Sequence, residues 1–117
     1  MAVFLFPTEL EAEPFMELCP DADVVISGVG MAATAATLSK LYAKKRISKN
    51  DVVVLAGLAG SYIGGLEKGD VVEVVEECCV ELPERFQRRY SVEPYTNLCR
   101  VRSNSVHGKG AESSGAE

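Results

Sequence analysis

Glycine follows two apolar runs in this chain, and those junctions are where chemistry can be placed. Ser27-Gly28-Val29-Gly30-Met31 comes directly after Val24-Val25-Ile26. Gly57-Leu58-Ala59-Gly60 comes directly after Val52-Val53-Val54-Leu55-Ala56, with Gly64-Gly65-Leu66 and Gly69-Asp70 close behind. A residue with no side chain lets backbone N–H groups approach a bound molecule. A helix opening at Met31 adds unpaired N–H groups and the positive end of its dipole, which suits an anion or a hydroxyl. Strand ends of this kind are where open α/β sheets hold their ligands. The expectation is a small-molecule pocket lined by backbone donors.

The elements that would carry these loops alternate. Ala2–Phe6 reads as a short apolar strand. Thr8 and Glu11 have the spacing of a capping box, so a helix is expected over Glu9–Leu18, kinked or divided at Pro14. The runs at Val24 and Val52 read as strands buried on both faces, as in a parallel sheet. Between them Met31, Ala35, Leu38 and Tyr42 recur at helical spacing, predicting a helix from Met31 to Lys45 with that stripe facing the sheet. Strand, helix, strand is then a right-handed βαβ unit. Val71–Leu82 alternates as a half-exposed strand, its even positions apolar except Glu76. That carboxylate either faces a ligand or lies beyond the sheet edge. A last strand is expected from Leu98 to Val101, extending as far as Val106, and the segment 107–117 reads as a flexible tail.

Composition removes several classes of function. A formal net charge of −5 disfavours nucleic acid, whose phosphates need clustered Lys and Arg. Arg85-Phe86-Gln87-Arg88-Arg89, flanked by Glu84 and Glu93, reads as a solvated surface turn. No segment reaches the roughly 18 apolar residues of a membrane span, and the N-terminus lacks the basic start of a secretory signal. Four cysteines without C-x-x-C spacing and a single histidine, His107, supply neither a disulfide framework nor a zinc site. Reduced thiols in a cytoplasm are expected. At 117 residues the chain is read as one domain, with no metal or organic cofactor.

In order along the chain, these pieces resemble the purine nucleoside phosphorylase and nucleosidase superfamily, closest to the methylthioadenosine/S-adenosylhomocysteine and futalosine nucleosidases. Pro7-Thr8-Glu9-Leu10-Glu11 is similar to the acidic segment after the family's first strand. Ser27-Gly28-Val29-Gly30-Met31 is similar to its S-G-[IV]-G loop before an alanine-rich helix. Gly57-Leu58-Ala59-Gly60, then Gly64-Gly65-Leu66 and Gly69-Asp70-Val71-Val72, resembles the G-x-A-G-G-L…G-D-[IV]-V signature with Ser61 to Ile63 inserted. Arg102-Ser103-Asn104-Ser105-Val106 resembles the strand end that faces the base.

The resemblance implies that Glu11 orients the attacking water and contacts the ribose. It implies that Leu58, Ala59 and Gly60 line the ribose and base, with Asn104, Ser105 and Val106 facing the base. Ser27, Gly28 and Gly30 would border the place where phosphorylases hold phosphate and nucleosidases seat water. Cleaving an N-glycosidic bond passes through an oxocarbenium-like sugar, which one carboxylate and one acid can serve. The family's later Met-Glu motif and its base-protonating Asp have no counterpart up to Glu117. The matched part, residues 2–106, therefore corresponds to the front half of a catalytic domain, as a fragment or as a shortened relative.

The fold expected is α/β: a three-layer αβα arrangement on a mainly parallel twisted sheet, truncated, with residues 1–106 as its domain. The function expected is hydrolysis of a purine nucleoside or 5′-modified nucleoside to the free base. Phosphorolysis is less favoured because no arginine accompanies either glycine loop. The rival is a catalytically incomplete nucleoside-binding or oligomerisation module, and a receiver-like signalling domain ranks third because Ala56, not Asp, ends its strand. The partners expected are a nucleoside, phosphate in the phosphorolytic case, and further copies of the chain in a homo-oligomer.

Overall fold

The computed structural model describes residues 1–62, 64–80, 82–105 and 115–116. The chain divides into two compact units, Met1–Leu58 and Ala59–Glu117. By content the chain is α/β, and each unit contains parallel strand pairs. Among the described residues no helix is long and apolar enough to cross a membrane.

The first unit runs β1 (Ala2–Phe6), α1 (Glu9–Leu18), β2 (Asp23–Ile26), α2 (Met31–Ala43) and β3 (Val52–Leu55). Its sheet has the order β2-β1-β3, all parallel. Alternation along β1 separates its side chains onto two faces. Val3 and Leu5, at 1% and 0% exposure, cluster with Leu41 and Ile47, with Val25 and Leu38 packed against them. Phe4 and Phe6 instead meet Phe15 of α1, with ring centroids 4.7 and 5.4 Å apart.

Helix α1 starts where its cap predicts: Thr8 is extended (φ −136°, ψ 156°) and its hydroxyl accepts from the Glu11 N–H. Pro14 neither divides it nor ends it. Ten residues form one helix, closed by the Cys19 N–H on the Phe15 carbonyl.

Helix α2 is found, but rotated from the predicted face. Thr34, Thr37, Leu38 and Leu41 turn inward, whereas Met31 and Tyr42 are 44% and 65% exposed. Threonine can face inward because its hydroxyl is satisfied locally: Thr34 donates to the Gly30 carbonyl and Thr37 to that of Ser27. Counting only apolar residues chose the wrong stripe. The helix ends two residues before Lys45, which adopts φ 60°. The Arg46 N–H reaches the Leu41 carbonyl and the Lys45 N–H that of Tyr42, a Schellman closure made without glycine.

The strand at Val52 is not buried on both faces as expected. Val53 and Leu55, which register with Val3 and Leu5, are 38% and 60% exposed because β3 is an edge of the sheet.

The second unit contains β4 (Gly60–Ser61), β5 (Val72–Cys79), β6 (Arg89–Ser91), β7 (Cys99–Ser105) and β8 (Gly115–Ala116). They pair in the order β4-β8-β7-β5-β6, with parallel and antiparallel neighbours mixed. Asp70 closes the turn before β5 by accepting from the Glu67 N–H at 2.8 Å, with Gly69 at φ 97°.

A register shift between Val74 and Glu76 resolves the odd glutamate of this strand. Val74 pairs with Val101 but Glu76 with Arg102, so Val75 is an extra residue and Glu76 lies on the opposite face from Val74. There it forms a 2.8 Å ion pair with Arg89. Glu76 is thus a partner of β6 inside the sheet rather than a residue past its edge. The basic stretch is an exposed turn as expected, with Glu84–Phe86 a single 3-10 turn, but its last residue, Arg89, enters β6 beside β5.

Candidate functional site

The order β2-β1-β3 fixes where a crevice opens. The chain leaves β1 toward β2 on one side, while β3 lies on the other, so the carboxyl ends of β1 and β3 diverge into separate loops. Helix α1 begins at this point and brings Glu11 to it.

Both oxygens of Glu11 are engaged. The Thr8 hydroxyl donates to Oε2 at 2.7 Å, and the Leu58 backbone N–H donates to Oε1 at 3.0 Å. The carboxylate therefore ties the start of α1 to the chain leaving β3. Gly57 makes this approach possible: a Cβ there would stand 3.2 Å from Glu11 Oε1 and 3.3 Å from Pro7 Cδ. Pro7 and Gly57 are thus constraints on Glu11 that motif reading did not single out as site residues.

A cleft of about 260 Å³ lies at this junction, lined by Phe6, Leu10, Glu11, Pro14, Ala56, Gly57 and Leu58. Among the described residues, Glu11 is its one ionisable lining residue. A carboxylate offers about four acceptor positions, so two hydrogen bonds leave capacity for a hydroxyl or a water. The volume falls below the ~300 Å³ at which whole small-molecule pockets begin.

Of the expected site residues, Glu11 and Leu58 are brought together here. Ser27, Gly28 and Gly30 do not line this cleft. Ser27 is buried at 6% exposure, and its hydroxyl donates to the Gly28 carbonyl at 2.9 Å, with that of Phe6 3.4 Å away. Gly28 has φ 86°, which favours glycine, and a Cβ there would stand a tight 3.1 Å from that of Ala33. Gly30 caps α2 at φ 99° without a side-chain hydrogen bond. This loop is held rigidly by its own backbone and by Thr34 and Thr37.

Ala59 and Gly60 open the second unit, Gly60 within β4. Asn104 and Ser105 end β7, paired with Cys78 and Cys79 of β5. Val106 and His107 lie outside the described residues.

The second unit has a polar anchor with no sequence signal. Glu73 accepts from the Tyr95 and Thr96 N–H groups, each at 2.7 Å, and from the Thr96 hydroxyl. Those bonds, the Thr96 hydroxyl foremost and the Tyr95 N–H next, hold its carboxyl below the usual glutamate range.

Compared with protein-family models, with curated proteins and with solved structures, the chain matches none.

Proposed function

We propose that the crevice at β1 and β3 takes the ribose of a purine nucleoside or 5′-modified nucleoside, and that Glu11 orients the water that hydrolyses its N-glycosidic bond. The single observation that carries this reading is the Glu11 carboxylate, held by Thr8 and Leu58 at the strand ends with acceptor capacity to spare. Water adds to the anomeric carbon as the bond to the purine nitrogen breaks, and the carboxylate stabilises the oxocarbenium-like sugar between them. The departing base takes a proton from an acid outside the cleft, because among the described residues Glu11 is the only ionisable group lining it. The fold that accompanies this reading is the three-layer αβα arrangement of the nucleosidase superfamily. Phe15 on one face of β1 and Leu38 and Leu41 on the other support it. The setting proposed is the cytoplasm.

That no second acid lines the cleft among the described residues specifically favours a second reading, a nucleoside-binding or oligomerisation module without turnover. One experiment separates them. The full chain is incubated with methylthioadenosine, S-adenosylhomocysteine, futalosine, inosine and adenosine, with and without phosphate, and free base is measured by chromatography. Release without phosphate supports hydrolysis, and release only with phosphate supports phosphorolysis. Calorimetric binding with no release selects the binding module.

A further inference from the structure

The first unit has a second and larger concavity, away from the crevice. Glu9, Glu13 and Glu17 repeat every fourth residue along α1 and, with Met16, Val24 and Ile26, line a groove of about 510 Å³ between the helix and β2. All three carboxylates are exposed, and among the described residues none is in an ion pair. Met16 and Ile26 are 48% and 38% exposed, so the floor is apolar and open. Strand β2 pairs with β1 alone, which leaves its outer edge without a ladder partner among the described residues.

The second unit is acidic as a whole but presents one exposed basic segment, which follows Glu84. Strand β6 is the outermost strand of its sheet and is exposed throughout. The segment leading into it carries Arg85, stacked on the Phe86 ring at 4.8 Å, and the exposed Arg88. Phe86 and Tyr90 are 59% and 65% exposed beside them. Arg89 is engaged with Glu76 and is not counted.

We propose that the chain self-associates head to tail, the acidic groove beside β2 of one copy receiving the Arg85–Tyr90 segment of a second copy. Charge selects this pairing over the alternatives. Groove against groove would gather six carboxylates, and two basic segments would repel each other in the same way. Spacing agrees: carboxylates four residues apart on a helix lie about 6 Å apart, and Arg85 to Arg88 spans at most about 10 Å. Phe86 and Tyr90 supply apolar surface for Met16, Val24 and Ile26. The two free strand edges can add backbone hydrogen bonds by strand addition. Because the two surfaces differ, each copy offers both halves of the contact, which closes as a reciprocal two-fold pair or continues as rings or open chains. This inference is independent of the nucleoside reading.

Sedimentation velocity on the full chain tests it. At low salt the wild type forms assemblies that grow with concentration and dissociate as salt rises from about 0.05 to about 0.5 M. Glu13→Arg alone and Arg88→Glu alone sediment as monomers, with Glu17→Arg as an independent second groove variant behaving alike. An equimolar mixture of Glu13→Arg and Arg88→Glu restores assemblies, because each altered surface then meets its opposite on the other molecule. That recovery also shows both variants are folded. A wild type that stays monomeric at every concentration overturns the proposal, as do single variants that assemble like the wild type. A mixture that remains monomeric overturns it too, since it assigns the charges to contacts within one molecule or to a foreign partner.

Discussion

Replacing Glu11 by alanine removes both hydrogen bonds that join the start of α1 to the chain leaving β3. A hydrogen bond to a charged group contributes about 1.5–3 kcal/mol when well shielded. Glu11 is half-buried, so solvent screening brings each bond to roughly 1 kcal/mol. The Thr8 cap also loses its reciprocal partner, although the Glu11 N–H still donates to the Thr8 hydroxyl. Glu11→Ala should therefore destabilise the first unit by about 2 kcal/mol. Glu11→Gln keeps an amide oxygen for Leu58 and lets the Thr8 hydroxyl turn, so its cost should be about 1 kcal/mol or less. Urea unfolding gives both values, and at about 4–8 °C per kcal/mol the alanine variant's thermal midpoint should fall by roughly 8 °C or more. A Glu11→Ala chain within about 0.5 kcal/mol of the wild type would refute the clamp, because surface substitutions without a structural role fall in that range.

Three further expectations follow from particular contacts. Gly57→Ala sets a methyl 3.2 Å from Glu11 Oε1. It should cost about 1 kcal/mol or less, since reduced freedom of the unfolded chain offsets the crowding, while amide exchange at Leu58 accelerates. Unchanged Leu58 exchange would count against the close approach. Lys45→Gly should stabilise the chain by about 1 kcal/mol in urea unfolding, because Lys45 holds the left-handed conformation at φ 60°. A loss of stability would mean the Schellman closure is wrongly assigned. Glu73 has a carboxyl held below its ordinary value of 4.5, so its contribution is present above that value and lost as pH falls through the lower, folded one. Exchange protection of the Tyr95 and Thr96 amides should accordingly persist at neutral pH and disappear in acid, and Glu73→Gln should weaken it at neutral pH and remove its pH dependence. Protection that rises in acid would reverse the assigned sign.

Local signals carried the parts of this fold that depend on neighbours in sequence. Thr8 and Glu11 announced α1, the apolar runs announced β1, β2 and β3, and Gly69-Asp70 announced the turn into β5. What was illegible depended on partners distant in sequence. The inward face of α2 is set by threonine hydroxyls that find carbonyls at Gly30 and Ser27, and hydropathy scores them as polar. Strand β6 is only three residues, Arg89-Tyr90-Ser91, too short for a periodic signal, and it pairs where β5 offers an edge and Glu76 meets Arg89. The displaced parity at Val75 is a pairing event, invisible until β7 is in place. At the site, spacing brought Glu11 forward as a capping residue, whereas its bond to Leu58 links positions 47 residues apart. Ser27 reads as bordering a phosphate or water place, whereas its burial, with the hydroxyl donated to the Gly28 carbonyl, follows from packing.

The central claim is that Glu11 acts on a nucleoside in the crevice, and the most direct measurement compares free-base release by the wild type and Glu11→Gln in phosphate-free buffer. The account predicts release by the wild type and a fall of at least about 100-fold in kcat for the variant, the scale at which positioned acid–base groups contribute. Unfolding midpoints should stay close. Wild-type release that survives in Glu11→Gln, or a wild type that releases no base from any of the five nucleosides, would contradict it.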